Sequence, residues 1–107
     1  MSNKELDILR LIRSKAQEVM PADAKVYLYG SRARGDNRTD SDWDILILLA
    51  KPRAEMSDYD AFSYPLTALG WEYGQSIVPV VYGIGEWTHP SSLLFRRNVE
   101  QDAVVLL

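Results

Sequence analysis

Cysteine is absent from this 107-residue chain, which excludes disulfides, thiolate metal sites and thiol nucleophiles. An excess of positive charge is also missing, because 12 Lys and Arg stand against 15 Asp and Glu for a net charge of −3. This balance argues against an extended nucleic-acid surface. The longest apolar run, Ile45 to Ala50, is too short to cross a membrane, and the polar first residues do not form a signal peptide. We therefore expect a cytoplasmic protein without membrane contact.

The composition is that of a globular domain. Hydrophobic residues make up 47% of the chain and charged residues 25%, which is typical of proteins that bury an apolar core. The length corresponds to one domain. We therefore expect a single domain over residues 1–107.

Hydrophobic spacing predicts helices that alternate with short strands. The predicted elements are a helix over 3–20, strands over 25–29, 43–49 and 77–82, a helix from Ser57 towards Gly70 interrupted by Pro65, and a short helix capped by Ser91. The strand over 43–49 is almost entirely apolar, so we expect it in the middle of the sheet. Pro79 cannot donate a ladder hydrogen bond, so its strand is expected at an edge or at a bulge.

One segment combines residue types that suit a metal-bound phosphate. Gly30-Ser31 is followed, after ten residues, by Asp42-Trp43-Asp44. Alternate residues of a strand share a face and lie about 6–7 Å apart, so the two aspartates would offer neighbouring carboxylates. Mg²⁺ prefers one or two protein carboxylates together with water and phosphate oxygens. The pair is therefore a candidate catalytic and metal-binding site.

The preceding turn is the candidate phosphate cradle. Gly30 permits close backbone approach, and Ser31 offers a hydroxyl and an amide at a possible helix start. Arg32 and Arg34 add positive charge beside them. Each feature alone is common in solvated turns. Their combination between two strands favours a nucleotide site, for which we select Gly30, Ser31, Arg32 and Arg34.

The run GSRARGDNRTDSDWDILI, residues 30–47, resembles the signature of the minimal nucleotidyltransferase (MNT) family of the DNA polymerase β-like superfamily. The resemblance implies an α/β (α+β) fold with a small mixed β-sheet and flanking helices. It also implies transfer of a nucleoside monophosphate from an NTP, with ATP expected, to a hydroxyl of a protein or small molecule. Mg²⁺ or Mn²⁺ would assist, Ser31 would contact the β- and γ-phosphates, and Asp42 and Asp44 would bind the metal ions.

Two features depart from the family pattern. Active members usually carry a third carboxylate on the later strand as general base, whereas residues 77–82 contain no acid; Glu72 and Glu86 only flank them. The family's terminal segment tends to carry Glu-Gly, where this chain has Asp102-Ala103 after Glu100-Gln101. We expect that change to affect packing more than chemistry.

Two functions are consistent with these residues. The first is a nucleotidyltransferase that modifies a hydroxyl and, as the resemblance implies, serves as the antitoxin of a HEPN/MNT pair. The alternative is a catalytically weak or silent module of the same fold that neutralises or scaffolds a helical HEPN partner. The two aspartates favour the first function, and the missing third acid favours the second.

Overall fold

A four-stranded mixed sheet forms the centre of the computed structural model, which describes residues 1–107. The strands are β1 (Lys25–Tyr29), β2 (Trp43–Leu49), β3 (Ile77–Gly83) and β4 (Val104–Val105), in the spatial order β3-β2-β1-β4. β1 is antiparallel to both of its neighbours, and β2 is parallel to β3. The predicted mixed sheet with flanking helices is confirmed, with β2 inside and the proline-containing β3 at an edge.

Six helices accompany the sheet. They are α1 (Asn3–Val19), α2 (Ser31–Arg34), α3 (Met56–Asp58), α4 (Tyr64–Glu72), α5 (Ile84–Trp87) and α6 (Leu93–Glu100). Ser2 and Glu5 form a reciprocal capping box that starts α1, as their spacing predicts. None of the helices is long and apolar enough to cross a membrane.

Two predicted helix starts are corrected. The second helical segment begins at α3, where the Glu55 amide donates to Asp58 at 2.7 Å, rather than at a cap on Ser57. A π-helical turn, Tyr59–Ser63, then joins α3 to α4 just before Pro65. Because proline lacks the amide of a regular α-helical bond, the wider turn accommodates the interruption.

The N-cap of the last helix lies one residue later than predicted. Ser91 lies inside a 3₁₀ turn, Pro90–Ser92, and its amide donates to the His89 ring at 3.1 Å. Ser92 therefore occupies the N-cap position of α6.

The sheet is covered on both faces. On one face, alternate residues of β1 and β2 pack with residues of α1 and α4; this core includes Ile12, Val26, Leu28, Trp43, Ile45, Ile47 and Leu66. The other face packs with α5 and α6; it includes Leu46, Leu48, Trp87 and Val99, with the aromatic rings of Tyr27, Tyr29, Tyr82 and Phe95. Asp44 is the one residue of β2 that is not buried, so the strand presents a single carboxylate beside the second core.

Candidate functional site

The strand register places Asp44 directly against the Gly30 turn. Tyr29, the last residue of β1, pairs with Asp44 near the start of β2. A Cβ atom built on Gly30 would overlap the Asp44 carboxylate, and Gly30 has a φ of 78°. Both the close approach and the left-handed backbone require glycine at this position. The two halves of the sequence motif therefore meet in space.

Asp42 and Asp44 lie together at the open end of this turn. Asp42 is exposed just before β2, and Asp44 is partly exposed within it. Burial, and then the negative charge of Asp42, raises the pKa of Asp44 above its ordinary value. No group of three or more metal-ligating side chains converges in the chain. The pair is nevertheless a hard, oxygen-only donor set that fits Mg²⁺, whose other ligands are water and phosphate oxygens.

Ser31 begins the short helix α2 immediately after Gly30. Its carbonyl accepts hydrogen bonds from the amides of Gly35 at 2.9 Å and Asp36 at 3.2 Å. Gly35 ends the helix in the left-handed conformation, with a φ of 84°. The Ser31 residue is partly exposed and directly follows Gly30, which lies against Asp44.

Arg32 lies elsewhere than the sequence analysis predicted. Its residue is only 3% exposed, and its guanidinium donates to the carbonyls of Ser41 at 2.8 Å and Thr39 at 3.2 Å. It also lies 3.4 Å from Glu5 and 4.3 Å from the centre of the Trp43 ring. We therefore withdraw the predicted phosphate contact of Arg32. This side chain instead holds the loop between α2 and β2 in place.

Arg34 lies on the opposite side of α2, beside the aspartates. Its side chain is 50% exposed and forms ion pairs with Asp36 at 3.1 Å and Asp102 at 2.9 Å. Its positive charge lowers the pKa of Asp44, although burial and the other carboxylates outweigh it. Of the two predicted arginines, Arg34 is the one whose positive charge acts on the pKa of Asp44.

Sequence reasoning missed Asp102, which the structure brings to this site from the end of the chain. One of its carboxylate oxygens accepts from Arg34, and its negative charge contributes to the raised pKa of Asp44. Tyr29 also adjoins the site, since burial and then the charge of Asp44 raise the pKa of its phenol to about 12. Asp102 belongs to the terminal segment that departs from the family pattern, and its ion pair with Arg34 joins that segment to the site.

Strand β3 contains no acidic residue that could act as the general base. Val78 pairs with Asp44 across β2 and β3, and Val80 follows it on the same face. Glu86 is engaged elsewhere, because its carboxylate accepts from the amides of Ala54 at 2.6 Å and Gly83 at 3.1 Å. Glu72 ends α4, where its charge acts on Lys15 of α1.

Comparison with known proteins shows the family. A nucleotidyltransferase domain profile matches residues 7–100. A solved structure described as a minimal nucleotidyltransferase is 25% identical over 97% of this chain and 98% of its own, with a TM-score of 0.63. No curated protein matches the sequence.

Two toxin–antitoxin structures have the same fold. One, determined with AMP-PNP, has a TM-score of 0.66 and 20% identity over 92% of this chain and 72% of its own. The other is a tri-AMPylated Shewanella oneidensis HEPN toxin in complex with an MNT antitoxin; its TM-score is 0.63, at 16% identity over 96% of this chain and 71% of its own.

Proposed function

Because this chain belongs to the minimal nucleotidyltransferases of the nucleotidyltransferase domain family, we propose that it transfers a nucleoside monophosphate from an NTP to a hydroxyl. The observation that carries the proposal is the contact between the Gly30 turn and the Asp44 carboxylate. It brings the Gly30 turn, and with it the start of α2 at Ser31, next to a candidate metal ligand. ATP is the proposed nucleotide, in keeping with the AMP-PNP in one structural neighbour.

The site residues have separate roles in this proposal. Asp42 and Asp44 would hold Mg²⁺ or Mn²⁺, and the ion would neutralise charge on the triphosphate and on the leaving pyrophosphate. Ser31 donates its hydroxyl to the β- and γ-phosphates. The Arg34 guanidinium donates hydrogen bonds to the negatively charged triphosphate. The acceptor hydroxyl oxygen bonds to the α-phosphorus, the bond to pyrophosphate breaks, and the hydroxyl proton must pass to a base.

The missing base favours slow catalysis and supports the alternative function. Val78 stands beside Asp44 where an acid on β3 would reach an acceptor. General-base catalysis contributes about 10²–10⁴ in rate, whereas metal and phosphate binding do not depend on it. A catalytically weak module that binds a helical partner is therefore the second candidate function.

A HEPN-type helical protein is the proposed partner for either function. Two structural neighbours are toxin–antitoxin assemblies, and in one of them the HEPN toxin is AMPylated. A protein hydroxyl on such a partner would be the acceptor in the enzymatic case. In the alternative case, the partner would be neutralised by binding alone.

Transfer of label from α-³²P-ATP tests the catalytic proposal. We expect the isolated chain to bind Mg·ATP but to label small hydroxyl acceptors slowly. The rate should be about 10²–10⁴-fold lower than that of a reaction assisted by a general base. Labelling should rise when a co-expressed helical partner presents its hydroxyl. Glu72→Gln is the matched control, because this carboxylate lies beside α1, and it should leave labelling unchanged.

Rapid labelling by the isolated chain would contradict the missing base. Loss of that labelling in Glu72→Gln would identify Glu72 as the general base. Retention of Mg·ATP binding without any labelling of the partner would favour the alternative function.

Replacing Ser31 with alanine tests the phosphate contact. We expect the binding of ATP to weaken by about 1–3 kcal/mol, the range for a lost hydrogen bond to a charged group. The binding of adenosine should change little because it has no phosphates. Calorimetry on both ligands measures the difference, with exposed Ser57→Ala as control. An equal loss for ATP and adenosine would indicate a folding defect instead.

A further inference from the structure

We propose that Asp102 is a positioning residue of the nucleotide site, which holds the Arg34 guanidinium beside Asp44 for contact with the triphosphate. This inference rests on the proposed nucleotide-binding function. It assigns a role to a residue outside the glycine–serine and aspartate motif. Asp102 acts through Arg34 and does not itself contact the nucleotide.

The sheet register brings Asp102 to the motif. β4 pairs with β1 so that Leu28 lies opposite Val104 and Tyr27 opposite Val105. Asp102 lies two residues before β4, in the turn that follows α6, where the Arg34 guanidinium contacts it. On the other side of β1, Tyr29 pairs with Asp44. Asp102 and Asp44 therefore approach the same turn from its two sides.

Two carboxylates fix the Arg34 guanidinium. Its Nη1 donates to Asp102 Oδ2 at 2.9 Å, and its Nε donates to Asp36 Oδ2 at 3.1 Å. The guanidinium has further N–H groups that these two bonds do not use. Its side chain remains 50% exposed, whereas that of Asp102 is 11% exposed. Asp102 is thus an inner support for an arginine that still reaches solvent.

The second oxygen of Asp102 argues against a role in packing alone. Asp102 Oδ1 is buried and has no hydrogen-bond partner. A buried carboxylate oxygen without a partner carries a desolvation cost that an apolar side chain would avoid. The negative charge at this position is explained by the cation it orients. Orienting a phosphate-binding group before the ligand arrives increases affinity because less freedom is lost on binding.

Asp102→Asn tests the inference, since it keeps the side-chain shape and removes the charge. We expect Mg·ATP binding to weaken about tenfold, as is typical when a supporting partner of a binding group is removed. Adenosine affinity and Tm should be retained. The same substitution should have no effect on ATP affinity in an Arg34→Gln background. Glu100→Gln, at an exposed carboxylate two residues earlier, is the matched control and should behave as wild type.

Several results would overturn the inference. They are unchanged or tighter ATP binding in Asp102→Asn, an equal effect of that change with and without Arg34, or a parallel loss of Tm and of both affinities. Failure of the proposed function has a different signature: the wild-type chain itself would bind no Mg·ATP. That result would remove this inference as well.

Discussion

Asparagine at both Asp42 and Asp44 is expected to abolish Mg²⁺-dependent NTP binding. The amide side chains keep the shape of the carboxylates but lose the negative charge that offsets the cost of dehydrating Mg²⁺. We expect Mg·ATP affinity to fall on the order of a hundredfold or more. Calorimetry with ATP in the presence of Mg²⁺, and then of Mn²⁺, measures this loss.

The matched control removes two negative charges away from the site. Asp23 and Asp60 are both exposed and lie outside the motif, so the double change to asparagine alters net charge equally without removing the candidate ligands. It should retain Mg·ATP binding. Unchanged affinity in the Asp42/Asp44 variant would exclude this pair as the metal site.

Thermal unfolding separates this loss of binding from loss of structure. The folded-state pKa of Asp44 is raised by burial and by Asp42, so its ionised form is less favourable in the folded than in the unfolded chain. The ionisation of Asp44 therefore lowers the free energy of unfolding as pH rises from its ordinary pKa through the raised one. Below the ordinary pKa this loss of stability is absent. At pH 7 the double asparagine variant should therefore have a higher Tm than the wild-type protein. A lower Tm would contradict the destabilising effect of the Asp44 charge.

Replacing Arg32 with alanine is expected to cause a large loss of stability. The change leaves the carbonyls of Ser41 and Thr39 without their donor and Glu5 without its cation. A buried carbonyl left without its donor costs about 1–3 kcal/mol, so the loss at two carbonyls is a large part of the roughly 5–15 kcal/mol that stabilises a typical domain. Urea unfolding measures the change in the free energy of unfolding.

Arg34→Ala is the matched control on the same short helix. Its guanidinium is half-exposed and donates to no buried backbone carbonyl, so this variant should lose less stability than Arg32→Ala and remain folded while its ATP affinity falls. The two arginines thus have opposite expected outcomes. A folded Arg32→Ala protein with a selective loss of ATP binding would indicate that Arg32 contacts the phosphates after all.

The local elements and the grouping of the motif were predictable from the sequence. Hydrophobic alternation identifies β1 and β2, and the apolar continuity of β2 predicts its inner position. Pro79 predicts the edge position of β3 because it lacks an amide hydrogen. Gly30 ends the first of these strands and Asp44 opens the second, so an antiparallel pairing brings them together. These signals depend on residues close in sequence or on one strand's own periodicity.

The different roles of the two arginines depended on helix geometry. Residues two apart in a strand share a face, whereas in a helix of 3.6 residues per turn they point in nearly opposite directions. Because α2 is helical, Arg32 and Arg34 cannot both face the phosphate cradle. The sequence placed both near the motif. Only packing against α1 and Trp43 determined that Arg32 is the buried one.

The pair of carboxylates and the turn that faces them follow from local spacing and strand context, so they can be predicted from the chain's residues. The distant acids that join the site depend on how the strands and loops pack. Pairing of β4 with β1 brings Asp102 to Arg34, 68 residues away along the chain, while the amides of Ala54 and Gly83 bind Glu86 elsewhere. Acidic side chains carry no periodic signal of their own, so their partners follow from strand register and loop packing.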